Sequence, residues 1–149
     1  MVTSQQALKK YGQPSASNPN LVVWDVPKEL EIGVIPKKIY CNKDMVAPLT
    51  AAFKALISTG CVTELKTWDG CFNIRKKRGL ASMSLHSWGL AVDMNAFCNP
   101  LGLTRQQIVS KGMIPFSDKF LDCFRKNGFD CGADWKSRPD FMHVQLAAI

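Results

Sequence analysis

The sequence predicts an α+β domain, because helical and strand-like stretches interleave along it without the regular alternation of a parallel βαβ chain. Its 149 residues, 46% of them hydrophobic, suffice for one globular core. No repeat, low-complexity tract or long linker divides it, so residues 1–149 are expected to form a single domain.

The elements follow in order. TSQQALKKYG reads as a short amphipathic helix with Thr3 or Ser4 as N-cap and Gly12 as its stop, and QPSASNPN as loop. LVVWDV, residues 21–26, has the β-branched and aromatic character of a short strand. From Asn42 to Gly60, Leu49, Phe53, Leu56 and Ile57 fall at helical spacing; Pro48 fits the first turn, so residues 42–47 form a lead-in. VTELKTW (62–68) alternates like a half-buried strand closed by a turn at WDG, and the basic stretch 75–79 reads as an exposed loop. GLAVDM (89–94) reads as a strand, FCNPLG as a loop, and TRQQIVSKG and SDKFLDCFRKNG as two capped helices ended by glycine. MHVQL, residues 142–146, is the last strand.

Net charge is +7 with a pI of about 9.2, and the densest basic cluster is Arg75 to Arg78. Such a balance favours a polyanion, whether nucleic acid, an anionic membrane surface or an anionic wall polymer, and equally fits an unspecific basic surface. MVTSQQALKKYG lacks the apolar stretch of a signal peptide and no apolar run approaches membrane-spanning length, so a cytosolic chain without stable membrane insertion is expected. The six cysteines form no C-x-x-C pair, which disfavours a zinc ribbon or a thioredoxin-like motif and favours free, largely buried thiols.

The chemistry begins at SLHSWGLAVDMN. Along GLAVDM as a strand, Leu90, Val92 and Met94 face one side, and Gly89, Ala91 and Asp93 the other. Along MHVQL, His143 and Gln145 face away from Met142, Val144 and Leu146. If the two strands are neighbours, Asp93 and His143 share one groove, and Ser87, Trp88 and Gly89 can turn His86 back over it. Two imidazoles and a carboxylate are the three-ligand set of a catalytic zinc centre, with the fourth position left for water. No third histidine exists to close the site, although a cysteine remains open as a fourth ligand. Zinc lowers the pKa of water to about 7 and polarises a carbonyl, so amide hydrolysis then lacks a proton acceptor and an oxyanion partner. Asp140, three residues before His143, is placed to move a proton, and Arg75 or Arg78 to bind a carboxylate or steady the oxyanion. A lone histidine is more often structural than ligating; here the only two in the chain fit one geometry. Trp88 and Trp135 read first as core or pocket wall, and second as contacts around a substrate.

Ser84, His86, Gly89, Ala91 and Asp93 in the spacing S-x-H-x-x-G-x-A-x-D, with Asp140 and His143 as D-x-x-H, resemble the VanY-like zinc D,D/L,D-peptidases of peptidoglycan, and among them the small phage endolysins that are L-alanyl-D-glutamate endopeptidases. WDGCFNIR, CNKDMVAPLTAAFKAL and GADWKSRPDFMH extend the resemblance over about residues 39–146. It implies a small antiparallel sheet flanked by helices, of the hedgehog/DD-peptidase kind. It further implies one zinc ion held by His86, Asp93 and His143, Asp140 as catalytic base, Arg75 on the substrate or tetrahedral intermediate, and Ser84 in support. Val144 stands where the family usually has an aromatic, and Gly132-Ala133 where it often has two glycines; both bear on substrate fit.

The expected activity is hydrolysis of the peptidoglycan stem peptide at the L-alanyl-D-glutamate bond by a monomeric phage endolysin. Such a protein is made in the bacterial host's cytoplasm and reaches the wall once the membrane is permeabilised, or acts from the virion. The alternatives are a D-alanyl-D-alanine carboxypeptidase using the same centre, and a non-catalytic zinc-containing virion or binding module, against which Asp140 argues. A nucleic-acid partner rests on charge alone and lacks a helix-turn-helix or stacking platform, so none is expected.

Overall fold

The computed structural model describes residues 1–149. Four helices, α1 (Ser4–Tyr11), α2 (Val46–Thr59), α3 (Arg105–Ser110) and α4 (Asp118–Arg125), accompany six strands. Strands β1 (Leu21–Asp25) and β2 (Lys38–Asn42) form an antiparallel pair of their own. The main sheet is antiparallel and contains β3 (Trp68–Gly70), β4 (Ala91–Met94), β5 (Phe129–Cys131) and β6 (His143–Leu146) in the order β3-β4-β6-β5. The α+β class therefore holds.

Helix ends follow the local chemistry. Thr3 caps α1 in a reciprocal box with Gln6, and Thr104 does the same for α3 with Gln107, so each box satisfies two backbone N–H groups near the helix start. Ser117 Oγ accepts from the Phe120 amide at the start of α4, and the Glu64 carboxylate accepts from both the amide and the hydroxyl of Ser117 at 2.8 and 2.6 Å. Pro48 lies in the first turn of α2, where its missing N–H costs no helical bond. Leu49, Phe53 and Leu56 of α2, Phe120 and Phe124 of α4 and Val92, Met94 and Val144 of the central strands are fully buried in one core. Phe116 stacks on Phe120 at 3.9 Å between ring centroids, extending that core beneath α4. No helix is long and apolar enough to cross a membrane.

The expected strand over 62–68 is corrected. Residues Cys61–Glu64 form a 3-10 turn, and WDG, expected as the turn, is itself β3. Asn95 explains the difference: it adopts a left-handed backbone (φ 49°), accepts the Lys66 and Thr67 amides at 2.7 and 3.0 Å, and donates to the Glu64 carbonyl at 2.7 Å. Its side chain thus takes the backbone groups a ladder would have used. Two strands carry too little periodicity to be foreseen: KIYCN, which becomes β2, and the three-residue FDC, which becomes β5.

Candidate metal centre

The central pair of the sheet sets the geometry. Antiparallel β4 and β6 align Asp93 with His143, Val92 with Val144 and Ala91 with Gln145. Directly opposed residues share a face, so the two valines enter the core while Asp93, His143 and Gln145 meet on the other side. His86 comes from the 3-10 turn Leu85–Trp88, whose start is capped by Ser84 Oγ accepting the His86 amide at 3.3 Å. The turn ends at Gly89 in the left-handed region (φ 68°), where a Cβ would lie 2.6 Å from the Asn42 nitrogen. Only glycine permits that reversal against β2, and the reversal brings His86 back over the sheet.

His86, Asp93 and His143 form one group whose ligand atoms lie within 4.8 Å of one another, and no cysteine joins it. His86 Nε2 is 3.2 Å from Asp93 Oδ2, and His143 Nδ1 is 3.3 Å from Asp93 Oδ1. Yet His86 Nε2 and Asp93 Oδ1 are buried without a hydrogen-bond partner. Leaving such atoms unpaired costs about 1–3 kcal/mol each. The separations match the edge of a tetrahedron with metal bonds of about 2.0–2.1 Å, so these residues fit a zinc ion.

The outer ring nitrogens are fixed as such a centre needs. His86 Nδ1 lies 2.7 Å from the Cys71 carbonyl, which can only accept, so the proton sits on Nδ1 and the Nε2 lone pair is free. His143 Nε2 lies 2.9 Å from Gln145 Oε1, leaving Nδ1 free. Neither partner was singled out from sequence: one is a backbone carbonyl, invisible to residue type, and Gln145 was legible only as a polar residue two places from His143.

A cleft of about 510 Å³ opens over the group, lined in part by Asp93, His143, Gln145, Ser84, Arg75, Arg78, Trp135 and Asp140. Asp140 sits on a tightly held loop. Its amide donates to the Gly132 carbonyl at 2.8 Å, its carbonyl accepts the His143 amide at 3.2 Å, and the Pro139 carbonyl accepts the Gly102 amide at 2.7 Å. A Cβ at Gly132 would approach the Asp140 carbonyl oxygen to 2.4 Å, so glycine is required there. Asp140 Oδ1 is a third buried polar atom without a partner, and burial pushes this carboxyl above its ordinary range.

Arg75 reaches Asp93, with Nη2 3.6 Å from Oδ2. Its backbone is tied to the His86 turn, since the Ser87 hydroxyl accepts its amide at 3.1 Å and donates to its carbonyl at 3.0 Å. Arg78 is exposed at the cleft rim, and the ring of Trp135 lies 5.2 Å from that of His143. Trp88 stands apart: its ring is buried outside this cleft and its Nε1–H donates to the Gly12 carbonyl at 2.8 Å, anchoring the end of α1. Of the residues expected around a substrate, Trp88 is thus the one placed away from this cleft, facing α1. All six cysteines are free and buried.

No curated protein and no solved structure matches the chain. Residues 78–146, which hold His86, Asp93, Asp140 and His143, match the family model described as D-alanyl-D-alanine carboxypeptidase, a match that supports the peptidase family whose motif this stretch resembles.

Proposed function

We propose that the protein is a zinc peptidase that hydrolyses the stem peptide of bacterial peptidoglycan, of the L-alanyl-D-glutamate endopeptidase type used by phage endolysins. The observation that carries the reading is the convergence of His86, Asp93 and His143, with unpaired buried atoms aimed together, beside the unpaired carboxylate of Asp140. Zinc, when bound by these three residues, supplies Lewis acidity that polarises a carbonyl oxygen and acidifies water. Asp140, its proton affinity raised by burial, accepts the proton released as water attacks the peptide carbonyl and returns it to the leaving amine. Arg75 balances the negative charge that develops on the carbonyl oxygen. Ser84 holds the turn that carries His86, and Trp135 walls the cleft beside His143. The protein acts as a monomer, made in the host cytoplasm and delivered to the wall after the membrane is breached, with a virion-borne role as the alternative.

A D-alanyl-D-alanine carboxypeptidase is the second reading, favoured by the description of the matching family. Incubation with purified peptidoglycan, with and without a chelator, separates the two by mass spectrometry of the products. New D-glutamyl amino termini that disappear with chelator are expected. Release of free D-alanine instead selects the carboxypeptidase, and intact peptidoglycan in the presence of zinc refutes both.

A further inference from the structure

Five cationic residues, Arg75, Lys77, Arg78, Lys136 and Arg138, line the cleft, and its only acidic lining residues are Asp93 and Asp140 at the centre. Outside the cleft, four cations are paired with carboxylates, Lys10 with Asp44, Lys38 with Asp25, Arg105 with Asp118, and Arg125 with Asp118, Asp122 and Asp134, while other lysines are dispersed over the surface. Of the five in the cleft only Arg75 has a carboxylate within ion-pair distance, and that carboxylate is Asp93. Five cations, four of them without a carboxylate partner, thus converge on one concave site.

The rim is also built. Its cations come from two segments, 75–78 and 136–138, joined where Arg138 Nη1 donates to the Arg78 carbonyl at 2.6 Å. The first segment is closed on itself by the Lys77 amide donating to the Ser82 carbonyl at 2.9 Å and by pairing of Lys76 with Met83. Two segments pinned together over a cleft hold their charges near a bound chain at less entropic cost than free surface lysines would incur.

We propose that this rim selects peptides through free carboxylates on residues flanking the scissile bond, so that the protein distinguishes acidic from amidated stem peptides. The inference rests on the reading of the protein as a stem-peptide hydrolase and names the substrate class within it. An amide offers the rim a neutral acceptor, whereas a carboxylate forms charge-assisted hydrogen bonds, bidentate with an arginine. Two such groups predict about a tenfold or greater preference at low salt, declining as salt screens it.

The probes are the tetrapeptide L-alanyl-γ-D-glutamyl-meso-diaminopimelyl-D-alanine and the same peptide with its glutamyl α-carboxylate and diaminopimelyl ε-carboxylate amidated. Affinities are measured calorimetrically on zinc-loaded Asp140→Asn protein, or on chelated wild-type protein if that variant does not fold. The acid is expected to bind at least tenfold tighter, and the double variant Arg78→Gln/Lys136→Gln to lose most of that advantage. Equal affinity, no binding of either peptide, or an advantage undiminished in the double variant overturns the proposal. Cleavage by the wild type is scored separately. Equal cleavage of both peptides removes the selectivity and leaves the hydrolase reading standing, whereas preferential binding without cleavage does the reverse.

Discussion

The β4–β6 pair and the loops around it contribute to the site in opposite ways. On the strands, Asp93 and His143 are placed by backbone register, with Val92 and Val144 buried directly behind them. A one-residue slip would turn both ligands into the core, so burial of the valines and alignment of the ligands are the same constraint. Around the strands, Arg78, Lys136 and Arg138 are exposed and held by a few loop hydrogen bonds. On the proposed reading, the difference ties reactivity to folding and leaves selectivity on segments that can change without disturbing the core.

That contrast orders the expected effects. Asp140→Asn keeps the shape of the loop but removes the proposed proton acceptor, and is expected to lower kcat by about 10²- to 10⁴-fold with zinc still bound. Metal analysis beside a peptidoglycan turnover assay checks it, and full activity would remove Asp140 from the mechanism. Gln145→Ala leaves all three ligands in place but frees the outer nitrogen of His143, so zinc affinity should fall by about 10- to 100-fold in a chelator competition. An unchanged affinity would mean that the strand alone orients the ring.

The smallest effect concerns the core behind the site. Burial pushes the Cys41 and Cys131 thiols up to about 12 from an ordinary 9.0. Because folding raises these pKa values, the neutral thiols favour the folded state fully below pH 9, and that support is lost as pH rises from about 9 towards 12. A thermal midpoint falling by a few degrees over that window is expected, together with negligible alkylation of native protein at neutral pH and six modified cysteines after denaturation. Rapid native alkylation would show the core to be looser than the strands imply.

Much of the candidate site is legible because side-chain alternation on two short strands is a strict rule: it puts Asp93 and His143 on one face provided the strands are neighbours, and β4 and β6 do pair. Gly89 made the return of His86 readable, since a glycine after a short turn marks a reversal. What escaped depends on partners distant in sequence. Asn95 rewrites the conformation of residues 64–67 through its side chain, and the Cys71 carbonyl orients His86 through an atom every residue has. Trp88 was ambiguous for the same reason: its fate depends on Gly12, at the end of α1. Strands β2 and β5 are set by pairing with neighbours, not by their own composition.

The central claim is that His86, Asp93 and His143 hold one catalytic zinc ion, and zinc-edge X-ray absorption on the purified protein, with metal stoichiometry, tests it most directly. The account predicts one zinc per chain with nitrogen and oxygen neighbours at about 2.0–2.2 Å, including two imidazoles, and loss of that zinc in Asp93→Asn. A sulfur shell at about 2.3 Å, or a stoichiometry unchanged in Asp93→Asn, would place the metal on the cysteines and contradict it.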